Sequence, residues 1–600
     1  AWEAGVCFAA GYPGTPSTEV LESVARYEGV DAHWSTNEKV AFDEGMGAAL
    51  GGLRTLVTMK HVGLNVAADP FMVFPYAGTN AGFVVLVADD PGMYSSQNEQ
   101  DSRYFAKMGK VPLLEPSDAG EGREMIKFAY ELSERFKTPV MFRTTTRLAH
   151  TRGIVEPGDR TEVPKKAFAP DATQYAIPVY ARFRRPELEA KLDQLREFAE
   201  EYEGNVIEEG DPGIGVVTHG IPYQYVKEVA PEATVFKLGM VYPLPEKRLK
   251  EFCERFDTVY VVEESEGFIQ QEMASFGIFN VVGKERFTNI GELSTDLVAA
   301  GLKGTPVAGN FAEEITVLPR PPKMCAGCPH SGTFSALRKL RTIVTGDIGC
   351  YTLGCLPPLS AIDTTFCMGA SIGNATGFEK AGEERVVAVI GDSTFLHSGL
   401  PSLMSAVYNR VPTTMILLDN STTGMTGHQE HPGTGHTLQD GPAPSVDYEA
   451  LIRAIGVEHV TVIDPYELKN LRGAVKEAMA HPGPAVVITR RACVLLPEEK
   501  AKDRIPYWVD EEACIQCDYC MESGCPALVM VGDYPRIRDW ECIGCDICAQ
   551  LCPVDAIFPV TDREGVVANA GQPGADAGLG AGDATDDSSD ASPATPAPEA

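Results

Sequence analysis

Two cysteine runs near the carboxyl end constrain this chain more than any other feature. Cys514-x2-Cys517-x2-Cys520-x4-Cys525-Pro526 is followed by Cys542-x2-Cys545-x2-Cys548-x3-Cys552-Pro553. Three thiolates on one tight loop can cap three corners of an iron–sulfur cubane, and the fourth must come from elsewhere. In paired runs the distant cysteine of each completes the other cluster. The spacing therefore predicts one [4Fe-4S] cluster on Cys514, Cys517, Cys520 and Cys552, and a second on Cys525, Cys542, Cys545 and Cys548. Zinc prefers two CxxC pairs and explains two runs of four poorly. The x4 spacing in the first run departs from the usual x3, yet all eight thiolates are present.

The module over 505–560 resembles a two-cluster ferredoxin, with Pro after each fourth Cys and Ala556-Ile557 after the second run. Most of the 16 cysteines fall in tight clusters rather than in scattered pairs. Without a visible secretory signal, such clusters read as metal ligands in a reducing, cytoplasmic compartment. The chain opens on Ala1 rather than Met. No apolar run approaches the length that spans a bilayer. A net charge of −33 argues against nucleic acid, since a polyanion would be repelled and no basic stripe stands out.

A chain of 600 residues predicts several domains. Over 1–165 short apolar strands (Thr55–Met59, Phe83–Ala88, Val140–Arg143) alternate with helical stretches, an α/β pattern with a mostly parallel sheet. Residues 166–204 read as a Pro- and charge-rich linker and then a helix from Arg185, with Leu188, Leu192, Leu195, Phe198 and Tyr202 at helical spacing. A second α/β unit occupies 205–315, with strands Gly213–Thr218, Thr234–Lys237 and Thr258–Glu263. A third occupies 316–500, with strands Val386–Ile390, Thr414–Leu418 and Ala485–Thr489. The Ala/Gly/Asp-rich segment 561–600 holds too few large apolar residues to offset chain entropy and is predicted to be a disordered acidic tail.

Gly391-Asp392-Ser393 follows one apolar strand of the third unit, and Asn420 follows another, 28 residues after Asp392. Both motifs therefore sit at carboxyl ends of parallel strands, where such sheets bind ligands. A carboxylate and an amide oxygen there, with the Thr422 carbonyl, can share Mg²⁺, which takes its remaining ligands from phosphate and water. Taken alone, Gly-Asp-Ser is equally a turn with an N-capping Asp.

The pair resembles the GDG…N signature of thiamine-diphosphate enzymes, with Gly391, Asp392, Ser393, Asn420 and Thr422 on the cofactor. That chemistry needs a glutamate on the aminopyrimidine ring. The resemblance puts it at Glu38, in Asn37-Glu38-Lys39-Val40-Ala41; the alternative is a surface glutamate at a helix N-terminus. Tyr12-Pro13-Gly14-Thr15-Pro16-Ser17 resembles the YPxTPS loop of 2-oxoacid:ferredoxin oxidoreductases. In that family the Thr hydroxyl reaches the substrate, which makes Thr15 a catalytic candidate. A Pro/Gly turn capping a helix at Ser17 is the plainer reading. Lys60-His61-Val62-Gly63 follows a strand facing the same cleft, and His61 is a further catalytic candidate.

Cys325-Ala326-Gly327-Cys328-Pro329-His330 and Gly346-Asp347-Ile348-Gly349-Cys350 resemble the thiamine domain of pyruvate and 2-oxoglutarate:ferredoxin oxidoreductases. The resemblance implies a proximal [4Fe-4S] cluster on Cys325, Cys328, Cys350 and Cys493, with Cys355 or Cys367 as substitutes. Otherwise Cys325 and Cys328 merely shape the pocket. Over 1–560 the order resembles the indolepyruvate type of this family. The implied order is a pyrimidine domain, a transketolase C-terminal-like middle domain, a diphosphate domain and a C-terminal two-cluster ferredoxin domain. Met425, in the loop Thr423–Gln429, stands where pyruvate enzymes carry a polar residue, which suits an aryl substrate.

The resemblance implies oxidative decarboxylation of arylpyruvates to aryl-acetyl-CoA and CO2. External ferredoxin takes the electrons, coenzyme A takes the acyl group, and a smaller second subunit completes a dimer of heterodimers. Three alternatives stand beside it: the same chemistry on another 2-oxoacid, a non-oxidative arylpyruvate decarboxylase, and a non-catalytic electron-transfer subunit.

Overall fold

The computed structural model describes residues 1–169, 171, 176–304, 321–439 and 441–562. The expected acidic tail, beyond its first two residues, and the expected boundary at 315/316 lie outside them, as does part of the expected linker.

Strands such as Phe83–Asp89 and Val386–Gly391 are apolar and buried at every position. That pattern fits parallel strands covered by helices on both faces. Seven strands build the first sheet, in the order Met240–Tyr242, Leu113–Leu114, Val140–Thr145, Phe83–Asp89, Thr55–Lys60, Phe8–Gly11, Asp31–Trp34. All neighbours pair parallel except the first two. The second sheet runs Val281–Val282, Val259–Val262, Asp211–His219, Ala233–Leu238, Val206–Glu208. The third is parallel throughout: Thr364–Thr365, Ile343–Gly346, Val386–Gly391, Thr414–Asp419, Ala485–Arg490, His459–Ile463. Two antiparallel pairs, Tyr507–Val509 with Ile557–Pro559 and Leu528–Val531 with Tyr534–Ile537, frame the cysteine runs. Among the described residues no helix is long and apolar enough to cross a membrane.

Two departures from the sequence reading matter. The helix expected from Arg185 spans Pro178–Glu201. Pro178 opens it with a pre-set φ, whereas the Pro- and charge-rich stretch up to Ala181 reads as linker. Its Leu192 and Leu195 enter two different cores of the first unit. Met240–Tyr242, from the middle unit, adds antiparallel to the edge of the first sheet, Met240 opposite Leu114 and Tyr242 opposite Leu113. The two units consequently share one core, in which Phe71, Phe74 and Leu113 join Phe236, Leu238 and Phe252.

Buried charge crosses the same junction. Arg103 has no exposed surface. Its guanidinium donates to Asp101 at 2.8 Å, to Glu263 Oε2 at 2.6 Å and to the carbonyls of Glu264 and Glu266 at 2.8 Å. Arg143 is likewise held by Asp89 and Glu115, at 2.7 Å each. Removing one partner of such a buried group strands the others and costs about 3–5 kcal/mol. Arg103→Met is therefore expected to lower the first calorimetric unfolding transition by that order, and an unshifted transition would contradict it.

Glu264 lies in the same network, and burial pushes its carboxyl from 4.5 up to about 7. Between those values the native state holds a proton that the unfolded chain has lost. Its contribution to stability is full below 4.5 and lost as pH rises through about 7. Glu264→Gln is expected to flatten this slope, gaining about 1–3 kcal/mol at pH ~8 relative to pH ~5 in paired thermal melts.

Candidate active site

The carboxyl ends of the first and third sheets meet across a cleft. Strand Val386–Gly391 delivers Asp392 there, only 2 % exposed. Asp392 Oδ1 accepts from Ser393 N at 2.8 Å; Oδ2 accepts from Asn420 N at 3.1 Å and Ser421 N at 2.8 Å. One carboxylate thus binds together the ends of two adjacent strands. Ser421 has φ +58°, the left-handed turn that swings the following loop back over the cleft. Thr423 Oγ1 then donates to Ser393 Oγ at 3.0 Å.

The cleft is lined by Gly391, Asp392, Ser393, Asn420, Thr422 and Met425, together with Tyr12, His330 and Cys350. Burial pulls His330 down to about 4, so it faces the cleft neutral. Among the described residues no Lys or Arg is bonded to Asp392. Its nearest possible cation is His431, whose Nε2 stands 3.5 Å away without a hydrogen bond. A buried carboxylate answered only by backbone N–H groups, beside an unpartnered imidazole nitrogen, fits a hard divalent cation carrying a phosphate.

Tyr12 and Pro13 form the opposite wall, and Glu38 comes from the same unit behind them. That glutamate is the first residue of helix Glu38–Leu50, whose N-cap Asn37 accepts from Val40 N. Glu38 is not a surface residue, being 5 % exposed. Its Oε2 lies 2.8 Å from His397 Nε2, while Asn37 Nδ2 donates to the His397 carbonyl at 2.9 Å. Tyr12 Oη pairs with Ser393 Oγ at 2.7 Å. These three contacts close the cleft within one chain. His397, in the π-type turn Phe395–Gly399, was missed in the sequence; its position shortly after Asp392 was the one available signal.

Thr15 is half-buried, and its carbonyl accepts from Ser95 Oγ at 3.0 Å. Ser17 occupies the N-cap of helix Thr18–Val24, but its hydroxyl donates back to the Gly14 carbonyl instead of capping. Lys60 Nζ donates to Ser95 and stands 4.0 Å from Asp90. Burial lowers it to about 8, partly offset by Asp90. His61 is fully buried and turns Nε2 to Asn98, at 3.2 Å from its carbonyl. Neither Thr15 nor His61 lines the cleft around Asp392.

The expected proximal cysteines gather beside this cleft. Burial raises the Cys328 thiol, and Cys325, Cys350 and Cys493 add to the rise. Burial likewise pushes Cys350 up to about 11, with Cys493 and Cys325 contributing. Cys493 N donates to the Asn420 carbonyl at 3.0 Å, tying it to the strand end. Cys367 is exposed and Cys355 half-buried.

Each cysteine run lends one residue to the other's cavity. One cavity is lined by Cys525, Cys542, Cys545 and Cys548, another by Cys514, Cys517, Cys520 and Cys552. Left-handed residues repeat in the two loops, at Gln516 and Asp518 in one and at Gly544 and Asp546 in the other. Backbone N–H groups turn onto sulfur, from Tyr507 to Cys542 at 3.4 Å and from Ala556 to Cys552 at 3.2 Å. Gly327, between Cys325 and Cys328, lines the first cavity, and its N–H bonds to Cys525. Among the described residues no three His, Cys, Asp or Glu side chains converge as a single-ion site would require.

Residues 1–203 match the family "Pyruvate flavodoxin/ferredoxin oxidoreductase, thiamine diP-bdg". Residues 347–489 match "Thiamine pyrophosphate enzyme, C-terminal TPP binding domain", and 506–553 match "4Fe-4S dicluster domain". The indolepyruvate oxidoreductase subunit IorA of Archaeoglobus fulgidus is 39 % identical over 93 % of this chain and 95 % of its own. That of Methanothermobacter marburgensis is 41 % identical over 94 % and 96 %. The chain belongs to the IorA family of indolepyruvate oxidoreductase subunits. An IorA-family chain is a thiamine-diphosphate-dependent oxidoreductase carrying an iron–sulfur dicluster domain. A solved 2-oxoglutarate:ferredoxin oxidoreductase from Magnetococcus marinus aligns at TM-score 0.42 and 18 % identity, over 50 % of this chain and 62 % of its own.

Gly63 packs against Glu38; a Cβ there would stand 2.5 Å from Oε1 and 2.7 Å from Cγ. Gly63→Ala is expected to displace the carboxylate and lower turnover about 100-fold, with the melting profile little changed. Unaltered turnover would detach Glu38 from the chemistry.

Proposed function

We propose that this chain is the large subunit of a cytoplasmic enzyme that oxidatively decarboxylates arylpyruvates of the indolepyruvate and phenylpyruvate type. The products are the aryl-acetyl-CoA and CO2, and electrons go to ferredoxin. A smaller second subunit contributes to the coenzyme A site, and the assembly is a dimer of heterodimers. One observation carries the reading: Asp392, Asn420 and Cys350 line one cleft with Tyr12 of the first unit, and Glu38 of that unit is bonded to His397, five residues after Asp392.

In this reading 1–165 is the pyrimidine domain, 205–315 the middle domain, 316–500 the diphosphate domain and 505–560 the two-cluster domain. Bound across the cleft, thiamine diphosphate would supply a nucleophilic carbon and an electron sink. Gly391 and Ser393 hold its diphosphate, and Asp392, Asn420 and the Thr422 carbonyl hold Mg²⁺. Glu38 exchanges a proton with the pyrimidine ring. Thr15, two residues beyond the lining residue Pro13, and His61 would orient a 2-oxoacid only where it extends past the lining around Asp392. Met425, 49 % exposed at the mouth, offers a polarizable wall to an aryl ring.

Cys325, Cys328, Cys350 and Cys493 hold a proximal [4Fe-4S] cluster. Cys525, Cys542, Cys545 and Cys548 hold the second, and Cys514, Cys517, Cys520 and Cys552 the third. Clusters divide a two-electron oxidation into single-electron steps that thiamine chemistry alone does not provide.

The test is an anaerobic assay of the two-subunit complex with indolepyruvate, phenylpyruvate and pyruvate, coenzyme A and a viologen dye. Dye reduction fastest with an arylpyruvate is expected. Faster reaction with pyruvate would overturn the substrate, and aldehyde release without an acceptor would favour a simple decarboxylase. Asp392→Ala is expected to abolish retention of thiamine diphosphate while iron in the C-terminal module is kept. Loss of all iron in that variant would contradict the independence of the two sites.

A further inference from the structure

The hydrogen-bond order around His397 fixes where its protons lie. Ser398 Oγ is 2.9 Å from the Met368 carbonyl, which can only accept, so the single serine proton is used there. The same oxygen is 2.9 Å from His397 Nδ1 and must accept from it, which places hydrogen on Nδ1. Gly369, at φ +78°, leaves room for the serine, since a Cβ there would collide with its Oγ.

With Nδ1 protonated, Nε2 faces Glu38 Oε2 at 2.8 Å. His397 and Glu38 are 4 % and 5 % exposed. Two bare lone pairs at that distance, away from water, would repel. The contact is bonding only when one proton lies in it, as carboxyl and imidazole or as carboxylate and imidazolium.

Three neighbours hold the ring in this pose. Tyr12 packs edge-on at 4.6 Å between ring centroids. Burial holds the Tyr12 hydroxyl above its ordinary range, so it stays neutral. Asn37 Nδ2 grips the His397 carbonyl at 2.9 Å. Turns of the π type, like the one carrying His397, recur at functional sites.

We propose that His397 is a positioning residue that stores one exchangeable proton in its bond to Glu38, ready for the pyrimidine ring of bound thiamine diphosphate. The inference rests on the assignment of Glu38 under the proposed function. The transfer balances simply. The proton shared by His397 Nε2 and Glu38 Oε2 would reach a pyrimidine nitrogen by way of Glu38. In either form the Glu38–His397 pair is neutral; giving up its one shared proton would leave the pair a negative charge and a pyrimidine nitrogen a positive one, no other bond would change, and the reverse path would restore the store. Nδ1 keeps its hydrogen on Ser398 throughout, so the imidazole cannot turn away when Nε2 is emptied.

The experiment uses the two-subunit enzyme with His397→Gln, Ser398→Ala and Glu38→Gln. Three quantities are measured: affinity for thiamine diphosphate with Mg²⁺, hydrogen–deuterium exchange at C2 of the bound cofactor, and imidazole ¹⁵N shifts of histidine-labelled enzyme before cofactor is added. His397→Gln keeps an amide able to reach Glu38 but cannot ionise. It is expected to slow exchange about 100-fold with affinity within about threefold of the parent. The ¹⁵N spectrum should show one histidine protonated at Nδ1 with a proton shared at Nε2. That signal should vanish in His397→Gln and shift in Ser398→Ala.

Exchange within twofold of the parent in His397→Gln, a loss of exchange that merely follows lost affinity, or an Nε2 without a shared proton would each overturn the proposal. If Glu38→Gln abolishes exchange while His397→Gln does not, this inference fails alone. If Glu38→Gln leaves exchange intact, the Glu38 assignment fails and takes the inference with it.

Discussion

The Asp392 carboxylate is the point on which the cleft is built. Its two oxygens accept three backbone N–H groups, from Ser393, Asn420 and Ser421, and so join the ends of two parallel strands. Those N–H groups would otherwise be orphaned where the sheet stops, and the carboxylate would be buried without a donor. Each solves the other's problem, and among the described residues no Lys or Arg stands against the carboxylate. Residues further out inherit that constraint. Ser421 must turn through a left-handed conformation, Thr423 folds back onto Ser393, and Tyr12 closes from the opposite sheet through the same serine hydroxyl.

The opposite wall depends on the shared core of the first two units. Because Met240–Tyr242 extends the first sheet and Phe236 and Phe252 complete its core, the middle unit is part of what holds the helix of Glu38 in place. Arg103 and Arg143 add a directional requirement that apolar packing lacks. Each guanidinium is held in one arrangement of carboxylates drawn from separate elements, with Nη2 of Arg143 left without a partner. Such a network specifies register more than it adds net stability, since the desolvation of its charges offsets much of their attraction.

What the sequence made legible follows from range. Strands buried on both faces leave unbroken apolar runs, so Thr55–Lys60, Phe83–Asp89, Val386–Gly391 and Thr414–Asp419 were readable to within a residue. The cysteine runs were readable because local spacing alone determines how many thiols one loop can present. Met240–Tyr242 was not, since three residues carry no period and their partners lie far back in the chain. Nor was His397, whose partner Glu38 is 359 positions away. Its role depends on a serine proton committed to the Met368 carbonyl, which no residue pattern reveals.

The cleft and the cysteine module meet through one glycine. Gly327 sits at φ +67°, and a Cβ on it would collide with Ile543, between Cys542 and Cys545. Its carbonyl accepts from the Tyr466 hydroxyl and its N–H bonds to Cys525. Around it Tyr466 and Leu468 pack on Ile547, and Gln550 bonds the Tyr466 carbonyl at 2.6 Å. The loop of Cys325 and Cys328 is therefore pressed onto the cavity of Cys525, Cys542, Cys545 and Cys548, while the other cavity carries the exposed Cys517. Under the proposed function this geometry gives the relay a direction. The loop of Cys325 and Cys328 meets one cluster cavity at the Gly327 peptide, and the second cavity would face an external acceptor. Any side chain at 327 would push apart the two loops that must stay in contact, so the glycine is a requirement of close approach as well as of backbone conformation.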